Sequence, residues 1–232
     1  MSTTPQPRRF LERHHFLLRR LHSLSGIVPI GAFLVMHLTT NASVLMGDDV
    51  FQKNAEKIAN LPALPVAEVL FIFLPIAFHA AFGVVIWRTG SSNVAAYRTG
   101  GNVRYVLQRI TGMIALVFIL FHVGTMHKWG LGWYNVKEAT QSTHDGIMAN
   151  MLIPPFYAIG IVCSVYHFAN GIWTSLITWG ITVGPNAQRK AGYACAVFGV
   201  VLGLVGLGAL RGFMSAGDER SETTEIAQRN GQ

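Results

Sequence analysis

The chain has 232 residues, of which 51% are hydrophobic and only 12% charged, and its mean hydropathy is +0.38. A soluble domain carries about 25% charged residues, so the composition excludes an ordinary water-soluble core and points to a membrane protein. The formal net charge of +7 and the pI near 9.8 would also suit a nucleic-acid binder. Here the basic residues gather on one membrane face, where topology, anionic lipid or a soluble partner accounts for them, and no nucleic acid is expected.

In chain order, residues 1–20 form a basic segment without the short apolar core and small-residue cleavage site of a removable signal peptide, so the first span is expected to stay in the mature protein. A membrane-crossing helix needs about 20 mostly apolar residues. Five stretches qualify: Leu21 to Met46, Val66 to Trp87, Val106 to His127, Met151 to Trp179 and Ala191 to Phe213. The expected fold is therefore all-α, an integral bundle of five transmembrane helices filling residues 21–213. Between the first two spans, Asp48 to Asn60 reads as a short surface helix begun by an acidic N-cap. Residues 214–232 read as a polar outer tail, mobile from Ala216. Cys163 and Cys195 fall inside spans without metal or disulfide spacing and read as small core residues. No internal repeat of fixed period is evident.

Lys and Arg placement sets orientation. Arg8, Arg9, Arg13, Arg19, Arg20, Arg88, Arg98, Arg104, Arg109, Arg189 and Lys190 share one face with a single acid, Glu12, while the other face holds ten acids, among them Asp48, Asp49, Asp145 and the cluster Asp218 to Glu225. The N-terminus is expected in the cytoplasm and, after five spans, the C-terminus outside.

Four histidines, His37, His79, His122 and His167, each sit in a different apolar span, 42, 43 and 45 residues apart. An ionisable side chain inside a bilayer is costly and usually has a partner. With 1.5 Å of rise per residue, His37, 17 residues beyond Arg20, lies roughly 25 Å from the inner face, and His122, 13 beyond Arg109, roughly 20 Å. Spans 2 and 4 run the other way, so His79 lies about 14 Å and His167 about 18 Å from that face. The geometry gives an outer pair, His37 with His122, and an inner pair, His79 with His167.

Haem b suits such pairs, because its iron takes axial imidazoles on opposite faces of the ring and its edge tolerates apolar surroundings. A single zinc would need its ligands to converge within about 2 Å of one point. Gly83 and Gly171 each follow an inner histidine by four residues, where the lack of a side chain lets a flat group approach the helix. Arg19, Arg20, His22, Ser23 and Arg109 at the inner ends are the nearest cations and donors for haem propionates. Span 5 has no histidine but carries Gly199, Gly203, Gly206, Gly208 and Gly212, and reads as a packing helix.

The segments Arg20-Leu-His-Ser leading to His37-Leu-Thr-Thr-Asn, Gln108-Arg-Ile-Thr-Gly leading to Phe121-His122, Tyr166-His167-Phe-Ala-Asn-Gly-Ile-Trp173, and Thr178-Trp-Gly-Ile-Thr-Val to Gln188-Arg189 resemble the di-haem cytochrome b membrane anchor of bacterial succinate dehydrogenases and fumarate reductases. The similarity runs from about Phe16 to Phe213. It implies an anchor in the bacterial cytoplasmic membrane that binds a flavoprotein with covalent FAD and an iron–sulfur subunit. Electrons would pass through iron–sulfur clusters and two b haems to a quinone, commonly menaquinone, and the dicarboxylate chemistry would lie on a partner subunit. The family's haem ligands fall on His37, His79, His122 and His167.

A quinone needs an apolar slot, a donor or two at its carbonyls and a proton route. Asn41, Glu68, His127 and Trp129, near the outer ends, are the candidates. No Asp or Glu occurs between Asp145 and Asp218, so spans 4 and 5 offer no carboxylate relay. The competing readings are the di-haem anchor of another quinone-linked oxidoreductase, such as a hydrogenase or formate dehydrogenase, and a haem-free transporter or scaffold. The chain lacks the duplicated halves frequent in transporters.

Overall fold

The structure is a computed structural model that describes residues 14–230, with side chains described as far as Ala216. Arg8, Arg9, Glu12 and Arg13 of the basic segment, and the side chains of the Asp218 to Glu225 cluster, lie outside the described residues.

All regular structure among the described residues is helical, and five stretches are long and apolar enough to cross a membrane: His15–Met46, Leu64–Thr89, Gly100–Met126, Ile153–Thr178 and Pro185–Ala216. Span 1 comprises α1 (His15–Ile27), α2 (Pro29–Ala42) and a 3₁₀ turn, Ser43–Met46. The break falls where Pro29, which has no amide hydrogen, interrupts the ladder. Span 2 comprises α4 (Leu64–Glu68), a π turn over Val69–Phe73 and α5 (Leu74–Thr89). The π turn has a local cause. Pro75 cannot donate to the Phe71 carbonyl, and the Leu74 amide reaches back five residues to the Val69 carbonyl. Span 3 is α6 (Gly100–Met126) and span 4 is α8 (Ile153–Thr178). Span 5 opens α9, which continues as helix over Pro185–Asn230, so the backbone of the stretch read as a tail is helical.

Two short helices cover one end of the bundle. α3 (Asp48–Ala59) forms where the sequence places a surface helix, but its N-cap is Gly47 at φ 132°, and Asp48 and Asp49 occupy the first turn instead. Acids there still meet the positive end of the helix dipole. A hydrogen bond from Lys53, 2.8 Å away, holds the Asp49 carboxyl below its usual range. α7 (Ala139–Met148) was not expected, because its sequence is polar. It is fixed by tertiary contacts: Gln52 accepts from the Ala139 amide at 2.7 Å and donates to the Val136 carbonyl at 2.8 Å, and His144 Nδ1 lies 2.8 Å from the Phe213 carbonyl. We call this the capped end, and the opposite one the basic end.

Span 4 is the most enclosed, packed between spans 3 and 5 and touching span 1, while span 5 also leans on span 1. Small residues permit this closeness, as in other membrane helices. A Cβ added at Gly206 would lie 2.8 Å from Ile161, and one at Gly212 2.6 Å from Val44, which bears out the reading of span 5 as a packing helix. Cys163 and Cys195 are buried and unpaired with each other. The apolar core, including Leu38, Phe118, Ile161, Val165, Leu202 and Phe213, gathers toward the capped end. Spans 1 to 4 leave a long cavity between them.

Gly160 faces the Phe118 ring so closely that a methyl group would run into it. Gly160→Ala should destabilise the protein by about 1–3 kcal/mol, read as a lower thermal unfolding midpoint in detergent. Gly100→Ala, where a methyl group meets nothing within 4 Å, should leave the midpoint in place.

Candidate cofactor site

The four intramembrane histidines come together as two pairs rather than one cluster. His37 and His122 have ring centroids 5.6 Å apart, and His79 and His167 have theirs 6.1 Å apart. All four line one cavity of about 1030 Å³, apolar over most of its wall, which reaches from Arg19 at the basic end to Phe51 and Thr143 at the capped end. Pockets for a single small ligand run to about 300–1,000 Å³, so this one lies at the upper limit.

The basic-end pair is built twice over by the same device. His79 Nδ1 lies 3.0 Å from the His22 carbonyl of span 1, and His167 Nδ1 lies 2.9 Å from the Gln108 carbonyl of span 3. Ser25 Oγ adds a longer contact to His79 Nδ1 at 3.4 Å. Four residues after each of these carbonyls stands a glycine. A Cβ at Gly26 would lie 2.5 Å from the His79 ring, and one at Gly112 would lie 2.7 Å from the His167 ring. Each ring thus lies flat against a neighbouring backbone, with one nitrogen committed to a carbonyl. That commitment fixes the tautomer and leaves Nε2 to act as a ligand.

The surroundings of the two rings differ. The His22 imidazole stacks on His79 at 3.9 Å and 12°. Opposite, Gln108 clamps span 4, donating to the His167 carbonyl at 3.0 Å and accepting from Asn170 at 2.7 Å. At the capped end the partners are side chains: His122 Nδ1 is 3.2 Å from the Tyr157 hydroxyl, and His37 Nε2 is 3.1 Å from the Asn41 amide. Eleven residues separate Gly26 from His37 and ten separate Gly112 from His122. The two pairs are therefore about 15 Å apart along the helices.

The glycines singled out from the sequence, Gly83 and Gly171, are less crowded, their added Cβ atoms meeting His22 and Gln108 at 3.4 Å. The glycines in close approach are Gly26 and Gly112. A sequence signal for them exists in the correspondence of His22, Gly26, His79 and Gly83 with Gln108, Gly112, His167 and Gly171, at offsets of 86 and 88 residues. Because the offsets are unequal and His22 is matched by Gln108, no fixed period betrays it.

Arg19, Arg20, His22, Ser23 and Arg109 all reach the basic end of the cavity, each already engaged. Arg19 Nε donates to His15 at 2.8 Å, and the Arg20 guanidinium lies over Phe16 and Trp179 at 5.0 and 4.8 Å. Ser23 Oγ is 2.7 Å from Ser175 Oγ and accepts from Trp179 at 3.3 Å. Arg109 donates to the carbonyls of Ile86, Trp87 and Gly90, satisfying the last turn of span 2.

At the capped end Asn41, Glu68 and His127 line the cavity, and Trp129 stands beside it on a groove between spans 2 and 3. Glu68, with its side chain 16% exposed, takes Lys128 Nζ at 3.0 Å and faces His127 Nε2 at 3.7 Å. Lys128, Tyr157, Gln108 and Asn170 are the neighbours that sequence reading did not assign.

Residues 91–206 match the family described as the succinate dehydrogenase/fumarate reductase transmembrane subunit. The chain is also 37% identical over 206 residues to the succinate dehydrogenase cytochrome b558 subunit of Bacillus subtilis (strain 168), covering 86% of this chain and 97% of that relative. With five apolar spans and a bacterial relative so matched along its length, this multi-pass bacterial membrane protein belongs to the succinate dehydrogenase/fumarate reductase transmembrane-subunit family.

Proposed function

We propose that the chain is the membrane anchor and electron-transfer subunit of a succinate:quinone oxidoreductase. In this reading it holds two b haems, one between His37 and His122 and one between His79 and His167, and passes electrons from an iron–sulfur partner to a quinone. The observation that carries it is the delivery of four imidazoles, one from each of four helices, as two separated pairs into one apolar cavity. The name of the Bacillus subtilis relative, a cytochrome b558 subunit, agrees with it.

The residues present fit the group. Gly26 and Gly112 supply backbone cradles that a Cβ would fill, and the His22 and Gln108 carbonyls hold Nδ1 of the two inner ligands. Haem, held by these histidines, would supply one-electron redox chemistry. The chain's own contribution is to hold the ligand rings, exclude water with apolar helix faces, and offer Arg19, Arg20, His22 and Ser23 to propionates at the basic end. Arg109, spent on the span 2 carbonyls, serves first as a cap and second as a cation near those propionates. Tyr157 orients His122 through Nδ1.

The basic end is the cytoplasmic face in this reading, with the N-terminus inside and the C-terminus outside. Among the described residues it carries Arg19, Arg20, Arg88, Arg98, Arg104, Arg109, Arg189 and Lys190 and no acid. That bias follows the positive-inside rule and suits a docked iron–sulfur subunit, which joins a flavoprotein bearing FAD and the dicarboxylate chemistry. The quinone, of the menaquinone type, takes its electrons near the outer pair, where Glu68, His127 and Asn41 provide polar groups at the cavity wall.

Dithionite-reduced minus oxidised spectra of the purified complex, with pyridine-haemochrome quantitation, test the ligand assignment. Two b haems per anchor are expected, His37→Ala or His122→Ala removing one and His79→Ala or His167→Ala the other. One haem or none in the wild type, or losses that do not fall into these pairs, would overturn the assignment. The same assay should show inner-haem content falling on Gly26→Ala and Gly112→Ala, where the new methyl group displaces a ligand ring.

A further inference from the structure

Span 4 is flanked by spans 3 and 5, and at the basic end Arg104 of span 3 reaches across it. Its guanidinium lies 4.0 Å over the Trp173 indole of span 4, and a Cβ added at Gly192 of span 5 would lie 3.2 Å from that guanidinium. The indole is fixed in turn, because Trp173 Nε1 donates to the Gln188 carbonyl of span 5 at 2.8 Å. None of these four residues lines the histidine cavity, so they form a recess apart from it.

An indole face is neutral. Contact with it leaves the charge of Arg104 unbalanced and the N–H donors around the edge of the guanidinium plane unspent. Among the described residues no acid pairs with Arg104, and its guanidinium donates no hydrogen bond.

Depth narrows what could meet it. Arg104 stands four residues inside the start of span 3, Trp173 five before the end of span 4 and Gly192 seven after the start of span 5, or about 6–10 Å inside the helix ends. Span 4, with 26 residues, is about 39 Å long against about 30 Å of hydrocarbon, which puts the recess at the boundary between acyl chains and head groups. Deeper on the same helix faces stand Leu107, exposed at 39%, and Val162, at 49%, so the recess opens onto apolar surface toward the bilayer centre.

We propose that this recess binds the phosphate of an anionic phospholipid in the basic-end leaflet, Arg104 gripping two phosphate oxygens and the acyl chains running past Leu107 and Val162. The planar fork of a guanidinium fits phosphate through two parallel hydrogen bonds. Arg98, Arg189 and Lys190 lie at the same end, where no acid stands among the described residues, and their field favours a lipid of net negative charge. An acidic side chain of a soluble partner has the right charge but would have to enter the bilayer boundary to reach the recess. A haem propionate would stand in the histidine cavity, which these residues do not line.

The test is native mass spectrometry of the whole complex, delipidated in detergent and titrated with phosphatidylglycerol or phosphatidylcholine, for wild type, Arg104→Gln, Arg104→Lys and Arg98→Gln. Wild type should hold a phosphatidylglycerol in preference to phosphatidylcholine. Arg104→Gln should weaken that binding by about tenfold, and Arg104→Lys, which keeps the charge without the fork, by less. Arg98→Gln, which removes an equal charge outside the recess, should bind as wild type does, and every variant should keep its b-haem bands and its partner subunits. Equal binding by wild type and Arg104→Gln, or an equal loss in Arg98→Gln, would overturn the site. So would displacement of the bound lipid by inorganic phosphate, which would show an anion site with no use for acyl chains. Loss of the iron–sulfur subunit from Arg104→Gln would assign the arginine to partner docking instead. Should Arg104→Gln fail to assemble, the wild-type complex still decides, since no preference for phosphatidylglycerol over phosphatidylcholine would refute the proposal.

Discussion

A neutral imidazole has one N–H to place, and within hydrocarbon no water is present to accept it. Three of the four intramembrane histidines, His79, His167 and His122, have Nδ1 beside an acceptor on a neighbouring helix, and the packing of the bundle depends on where that partner is found. At the basic end the partner is a main-chain carbonyl, which already accepts within its helix but has a second lone pair available. Reaching it requires the ring to lie against backbone, so a glycine stands four residues further on in both cases, at Gly26 and Gly112. Spans 1 and 3 are thereby tied to spans 2 and 4.

At the capped end His122 meets a phenol, the Tyr157 hydroxyl, whereas the Asn41 amide donates to His37 Nε2 and takes no proton from it. Side-chain partners can move and exchange, whereas a helical carbonyl cannot. In the proposed function this makes the two sites chemically distinct: the inner ligands are held by rigid main chain, the outer ones by adjustable groups next to the place where substrate arrives. The π turn of span 2, the 3₁₀ turn after Ala42 and the strapped loop after Met126 also lie there.

The charge distribution follows the same division. The basic end holds arginines over aromatic faces or on helix-end carbonyls, as with Arg104, whose guanidinium stacks 4.0 Å from Trp173, and Arg109 on span 2. The described ion pairs are all at the capped end, between Asp49 and Lys53 and around Glu68. Among the described residues no acid pairs with these arginines, which in the proposed function leaves their charge to anionic groups, whether propionates, lipid phosphate or an acidic partner surface.

The five spans, their apolar length and the partition of four histidines into two pairs were legible in the sequence, because membrane thickness and helical rise convert residue number into depth with little ambiguity. Cysteine burial and the packing role of span 5 followed from composition alone. Only the tertiary structure decided which glycines face the rings: Gly83 and Gly171 share a helix face with histidines, but crowding is set by the helix opposite, so Gly26 and Gly112 are the ones in contact. It also decided that Gln108 and Tyr157 hold His167 and His122, that Arg109 caps span 2, and that polar α7 is helical, since each depends on a partner more than 15 residues away. Local periodicity records what a segment offers to its surroundings, whereas the choice between one buried partner and another is made only when the helices are set side by side.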